Sequence, residues 1–352
     1  MPLVPAEPSA PFKVFTFSVN TYNDASDNYS SAVPIEASLY VLTETVRTLT
    51  GADGSAGTSG TYVEFGDYPK TYVKNAPVGT DKVIIGGLDY YYGTDGNYYV
   101  QATASPDGDC SFDNKDKITQ GEKYYFKVEP IKWRVLDSNY AVPSGTGKLL
   151  VAENALASCS FFSYVTAGST RNIGSEATIY SNNYEHSKVR AFLTGVTYTE
   201  EGNNLSNEFE GKGFINQAFT NTAVNSICQI EVDNTIATTS AGTENYICKN
   251  TNDKVFLLSY KDITNTSYGF GTYGTNIAAL RRASTDYSRA TGVLPTADNS
   301  TWWCTRSPNT GTKGDNTGCS IHRLSSVSKP KGDRGDTKYD NYGVVPAIVV
   351  KN

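Results

Sequence analysis

"YYFKVEPIKWRVL", Tyr124–Leu136, is the stretch whose reading decides the fold. Aromatic and β-branched residues fit a pleated, half-buried surface, so the run reads as a strand. Pro130 has no N–H to give a ladder, which predicts a bend there. Upstream, "TYVEFGDYPK" (61–70) reads as a strand entering a turn. Downstream, "GKLLVAENAL" (147–156) reads as an apolar strand running into a helix.

Further out the elements shorten. In "SKVRAFLTG", Val189, Phe192 and Leu193 have helical spacing, with Ser187 as N-cap and Gly195 as the stop. "GKGFINQAFTNTAVNSIC" (211–228) predicts one or two short helices with Phe214, Phe219, Val224 and Ile227 inward. "DKVFLLS" (253–259) reads as a buried strand, and Ser259 and Asp262 then stand at capping-box spacing. "STDYSRATG" is a short helix capped by Thr285, and "GVVPAIVV" (343–350) a last strand interrupted by Pro346. Near the start, "FKVFTFSV" (12–19) alternates as a strand does, and "VPIEASLYVLTETVRTL" (33–49) fits strand or helix. "GADGSAGTSG" (51–60) reads as a flexible linker and a boundary. The expected organisation is a disordered leader (1–11), an N-terminal extension (12–59) and a main domain (60–352). Strands dominate and helices are short, which predicts an α+β fold with extensive ordered loops.

Composition narrows the function. The 352 residues carry 30 basic and 36 acidic side chains, mixed along the chain, so no basic stripe points to nucleic acid. No apolar run approaches the roughly 20 residues of a membrane span. The Pro-rich start lacks a signal-peptide core, so the chain read literally is soluble; it also fits a mature domain cut from its leader and given a new Met1. Tyr (25) and Gly (31) are plentiful while His (2) and Met (1) are scarce. Tyr, Ser, Thr, Asn and Gly together give rigid contact area and adaptable hydrogen bonding, as in natural paratopes.

Six cysteines, Cys110, Cys159, Cys228, Cys248, Cys304 and Cys319, include no C-x-x-C pair. Cys159 and Cys228 read as buried thiols, and one or two disulfides remain open without a derivable connectivity. No metal, cofactor or catalytic residue is assigned. "GTGK" (145–148) lacks phosphate-loop spacing and reads as a turn. His186 and His322 are the only histidines a triad could use, and no nucleophile-elbow motif accompanies them.

The ordered series "TYVEFGDYPK", "YFKVEPIKWRVL", "LLVAENAL", "SKVRAFLTG", "GKGFINQAFT", "DKVFLLS", "STDYSRA", "WWCTRSP" and "GVVPAIVV" resembles a family of bacterial proteins with a C-type-lectin-like fold, of the formylglycine-generating-enzyme-like subgroup. Within it, the chain looks like the treponemal variable proteins of diversity-generating retroelements. The likeness covers roughly 60–352. It implies a noncatalytic display protein whose C-terminal surface is diversified by adenine mutagenesis and binds a protein or other surface ligand. It also implies a cell-surface or outer-membrane location, held by a lipid anchor on a leader absent here.

Two other classes stand beside this reading. An oxidase of the formylglycine-generating kind would use cysteines, and Cys304 and Cys319 lie in the corresponding region, with Arg306, His322 and Arg323 as nearby charges. The cysteine-rich signature of those enzymes is absent. A plain surface-structural member would carry no diversification. A calcium-dependent sugar site would need E-P-N and W-N-D motifs; "EPI" at Glu129–Ile131 lacks the Asn, and no W-N-D occurs.

The resemblance places the variable region at about 301–345, which opens "TWWCTRSPNTGTKGDNTGCSIHRLSS". Between Asn309 and Asn341 the apolar residues Ile321, Leu324 and Val327 are too few to build a core. Randomising both adenines of an Asn codon cannot produce Lys, Glu, Gln, Met or Trp. Trp302, Trp303, Lys313, Lys329, Lys331 and Lys338 are therefore expected to be fixed. The positions the code permits to vary are Cys304, Thr305, Asn309, Asn316, Cys319, Ile321, His322, Arg323, Asp333, Arg334 and Tyr339. Trp302, Trp303 and Arg306, the last within the "RSP" that matches the family, are expected to be scaffold, with both tryptophans in the core or beneath the binding face.

Overall fold

The computed structural model describes residues 43–162, 170–173, 176–199, 205–240, 242–271, 278–296, 299–309, 320–324, 333–336 and 341–352. The fold is α+β, mostly sheet with few and short helices. Seven strands come first: β1 (Arg47–Leu49), β2 (Tyr62–Tyr72), β3 (Val78–Ile85), β4 (Leu88–Gly93), β5 (Tyr98–Thr103), β6 (Lys123–Val142) and β7 (Gly145–Ala152). Short β8 (Asn154–Ala155) and β9 (Ala157–Ser158) follow. Three small antiparallel pairs are β10 (Thr170–Ile173) with β11 (Glu176–Tyr180), β12 (Tyr198–Thr199) with β13 (Leu205–Ser206), and β14 (Ile230–Val232) with β15 (Thr251–Asp253). The remaining strands are β16 (Val255–Phe256), β17 (Ala283–Ser284), β18 (Trp303–Asn309), β19 (Ser320–Leu324), β20 (Asp333–Asp336), β21 (Gly343–Val344) and β22 (Ala347–Lys351).

The 20-residue β6 organises a nine-stranded sheet in the order β16-β22-β7-β6-β5-β4-β3, with β2 also on β6 and β1 on β2. The strand continues through Pro130, which lies opposite Asp67, where β2 carries a bulge between Glu64 and Asp67. The irregularity that proline needs is taken up by the partner strand. β2 likewise continues past Pro69 to Tyr72 instead of turning. Trp133 on β6 is fully buried; its indole N–H donates to the Phe65 carbonyl at 2.7 Å and its ring lies near Phe219.

The helices follow their caps. In α1 (Lys188–Thr194) the Ser187 hydroxyl accepts from the Arg190 N–H, and Gly195 stops the helix at φ 75°. In α2 (Phe214–Ala218) and α3 (Asn221–Ser226) the apolar side turns inward, with Phe214, Phe219 and Ile227 buried and Val224 half-buried. α4 (Tyr260–Ile263) has the full Ser259–Asp262 capping box, and α5 (Asp286–Ala290) is capped by Thr285.

Four local expectations are corrected. No helix follows β7: Asn154 donates from its side-chain amide to the Ala283 carbonyl, and β8 pairs in parallel with β17. "DKVFLLS" forms only a two-residue strand, because the Leu257 and Leu258 carbonyls are taken by Arg306. "GTGK" belongs to β7 and not to the turn before it. The glycine-rich stretch 51–60 is not a free linker. Ser55 donates its backbone N–H to buried Glu153 at 2.8 Å, and Arg134 donates to the Ser59 carbonyl at 2.9 Å. By packing, the chain divides between Val41 and Leu42. The start of the chain, including 1–11 and "FKVFTFSV", lies outside the described residues.

A five-stranded sheet, β20-β19-β18-β21-β9, joins four strands of the C-terminal part of the chain to β9 from its middle. Residues 345 and 346 carry the chain from β21 in this sheet to β22 in the large one. Among the described residues no helix is long and apolar enough to cross a membrane.

Candidate binding surface

β18 is the foundation of the small sheet, and all seven of its residues are buried. Trp303 is fully enclosed; its N–H donates to the Leu280 carbonyl at 3.0 Å, and the Arg282 guanidinium lies 5.6 Å from its ring. Arg282 is itself completely buried and donates to the Ala279 and Arg281 carbonyls. Burial pushes its pKa down, while the carboxylate of Glu153 pulls it back up. Trp302 is half-buried, with its ring 6.3 Å from that of Tyr342. One tryptophan is thus core, and the other packs at its margin.

Arg306 ties β18 to the surrounding loops. Its guanidinium donates to the Leu257 carbonyl at 2.7 Å, to the Asp233 carbonyl at 3.1 Å and to the Asp262 carboxylate at 3.1 Å. Asp262 also closes the capping box of α4, so one carboxylate serves helix and strand. The Ser307 hydroxyl accepts from the Tyr260 N–H at 2.9 Å and donates to the Thr238 carbonyl at 3.1 Å. The register explains this reach. Cys304 pairs with Arg323 and Pro308 with Ile321, so Thr305, Arg306 and Ser307 stand against His322 alone. The bulge frees Thr305, Arg306 and Ser307 from regular pairing.

The polar segment that follows is pinned at both ends. The Gly343 N–H donates to the Trp302 carbonyl at 2.7 Å, which brings the end of the segment against its start. Asn341 donates from its side chain to Asp107 at 2.6 Å, and its carbonyl accepts from the Leu294 N–H at 3.0 Å. Gly343 sits where an added Cβ would lie 2.5 Å from Ala155 Cβ and 3.0 Å from Thr301 Cγ2, so only glycine fits.

Outward from β18 the register rows are Cys304–Arg323–Asp333 and Pro308–Ile321–Gly335, with His322 opposite Arg334. Five positions that the genetic code permits to vary, Ile321, His322, Arg323, Asp333 and Arg334, are therefore gathered on two adjacent strands. Cys304, Thr305 and Asn309 are placed differently. They are buried in β18, with Thr305 at 0% exposure. Asn316, Cys319 and Tyr339 lie outside the described residues, as do Lys313, Lys329, Lys331 and Lys338.

Spacing did not reveal Arg282, Glu153, Asp233 and Asp262 as supports of this surface. The available signal was a charge set in an apolar run, as in "LLVAENAL" and "AALRRAS". Burial also separates the cysteines. Cys110, Cys228 and Cys304 are buried, whereas Cys159 and Cys248 are intermediate in exposure. No group of three His, Cys, Asp or Glu side chains able to hold a metal occurs among the described residues. Glu129 of "EPI" lies on β6 and accepts from the Thr71 hydroxyl at 2.6 Å.

A family model described as a domain of unknown function, DUF6273, matches residues 146–352, more than half of the chain. It begins in β7 and takes in β22 and the whole small sheet. No curated protein and no solved structure matches the chain.

Proposed function

We propose, taking as premise that the chain belongs to the DUF6273 family, that it is a noncatalytic ligand-binding display protein of C-type-lectin-like fold. Its recognition residues lie on β19, β20 and the segments joining them to β18 and β21, and their diversity arises by retroelement mutagenesis of adenines. The ligand is a protein or another surface molecule met at the cell exterior.

One observation carries the reading: the contrast across the small sheet. The inner strand is wholly buried and held by Trp303 and Arg306, neither of which the mutagenesis argument needs to vary. The outer strands carry five of the permitted positions, Ile321, His322, Arg323, Asp333 and Arg334, and the segment's two ends meet at Trp302 and Gly343. A surface closed at its base in this way can change its side chains without asking the core to move, since recognition loops on rigid scaffolds do so generally.

The test is the coding sequence in independent isolates of the source strain. Differences should concentrate at adenine-bearing codons between 310 and 341 and spare Trp303 and Arg306. Differences spread evenly along the gene, or concentrated elsewhere, would remove the reading.

A further inference from the structure

A cleft of about 460 Å3 opens between the β6–β7 turn and the last residue of β22. Its volume lies in the range of small-molecule pockets. Val142, Pro143 and Ile227 supply an apolar wall, and Ser144 and Gln229 supply neutral hydrogen-bonding groups. Two ammonium groups enter from different strand ends, Lys254 just before β16 and Lys351 at the end of β22. No carboxylate is among the lining residues.

Both lysines are held in place. The Lys254 Nζ donates to the Val224 carbonyl at 2.6 Å, and the Lys351 Nζ to the Asn225 carbonyl at 2.9 Å. These carbonyls belong to consecutive residues in the last turn of α3. An ammonium has three donors, so each lysine keeps donors beyond that one bond. The pair also repels. Partial burial lowers the Lys254 pKa, the Lys351 charge lowers it further, and the nearby Cys228 thiol acts in the opposite direction. An anion seated between the two would reverse the repulsion and use the spare donors.

We propose that this cleft binds a small dianion, a phosphate or phosphate monoester on one hand or a short dicarboxylate on the other. The two negative groups meet Lys254 and Lys351, and the carbon part of an organic ligand lies on Val142, Pro143 and Ile227. The site is separate from the β18–β20 surface and does not depend on the display reading.

Calorimetric titration with inorganic phosphate and, separately, with succinate tests it, at an ionic strength held constant with sodium chloride. Saturable one-to-one binding of at least one probe is expected, with affinity lowered at least tenfold in Lys351→Met and in Lys254→Met. Binding of phosphate alone, or of succinate alone, assigns the source of the anion. Lys254→Met removes a part-buried contact to α3 and Lys351→Met only an exposed one, so Lys351→Met and Gln229→Ala carry the test if Lys254→Met does not fold. Circular dichroism should show both to be folded like the parent. The proposal is overturned if neither probe saturates, or if Lys351→Met binds both as tightly as the parent.

Discussion

Trp303→Ala removes the largest side chain beneath the proposed display surface. The ring is fully buried, so truncation carries the ~3–5 kcal/mol typical of a core aromatic. The Leu280 carbonyl loses its indole donor, and Arg282 loses the ring beside its guanidinium. Leaving a buried acceptor unmet costs about 1–3 kcal/mol, part of which is already within the truncation figure. A loss near 4 kcal/mol is a large share of the roughly 5–15 kcal/mol that holds a typical domain together. Trp303→Phe keeps most of the apolar volume and loses the N–H, for about 1–3 kcal/mol. Trp302 is half-buried, so Trp302→Ala should cost only about 1–2 kcal/mol. Urea titration followed by far-ultraviolet circular dichroism measures all three against the parent. The expected order of loss is Trp303→Ala, then Trp303→Phe close to Trp302→Ala. If Trp303→Ala unfolds within about 1 kcal/mol of the parent, or less readily than Trp302→Ala, β18 is not the foundation described.

Arg306→Met should destabilise by about 1–3 kcal/mol, because it leaves the Leu257 and Asp233 carbonyls without their guanidinium donor; equal urea midpoints for variant and parent would refute this. Gly343→Ala forces a Cβ against Ala155 and should cost about 1–3 kcal/mol, read as a lower melting temperature. The Asp95 carboxyl, held down to about 2 by the Tyr99 hydroxyl and the Asn97 side chain, titrates below the usual carboxylate value of ~3.9. A depressed carboxyl gives stability that is present above its unfolded pKa and lost as pH falls through the folded one. Asp95→Asn should therefore flatten the fall in stability from about pH 4 down to about 2, and parallel pH profiles for variant and parent would contradict it. Joint substitution of Ile321, His322, Arg323, Asp333 and Arg334 should leave a cooperative melt, whereas the same treatment of Cys304, Thr305 and Asn309 should abolish it.

Local signals proved legible where the cause is local. Ser187, Ser259 and Thr285 each cap the helix their spacing announces, because a cap needs only its own N–H groups three residues on. Long-range causes were not legible. Leu257 and Leu258 look like any buried strand, and only Arg306, far along the chain, decides where their carbonyls go. The stretch 51–60 looks flexible until Glu153 and Arg134 are placed beneath it. The genetic code says which of Cys304, Thr305 and Asn309 could change, but nothing about whether they see solvent. Their burial follows from the position of β18 between β19 and β21.

The position of β22 has a consequence for the integrity of the message. It is not an edge strand: it lies between β16 and β7, and it is translated after the whole of 303–341. A frameshift or premature stop anywhere in that segment would withhold Ala347–Lys351, leaving Val151 and Leu150 of β7 without the partners they meet there. The large sheet could then not close over its core. Under the proposed reading, a copy with an altered side chain on β19 or β20 keeps the frame and is expected to fold, whereas a copy with a broken frame yields a chain that cannot complete its main sheet. The fold thus reads through to the last strand before it accepts what was written in the segment ahead of it.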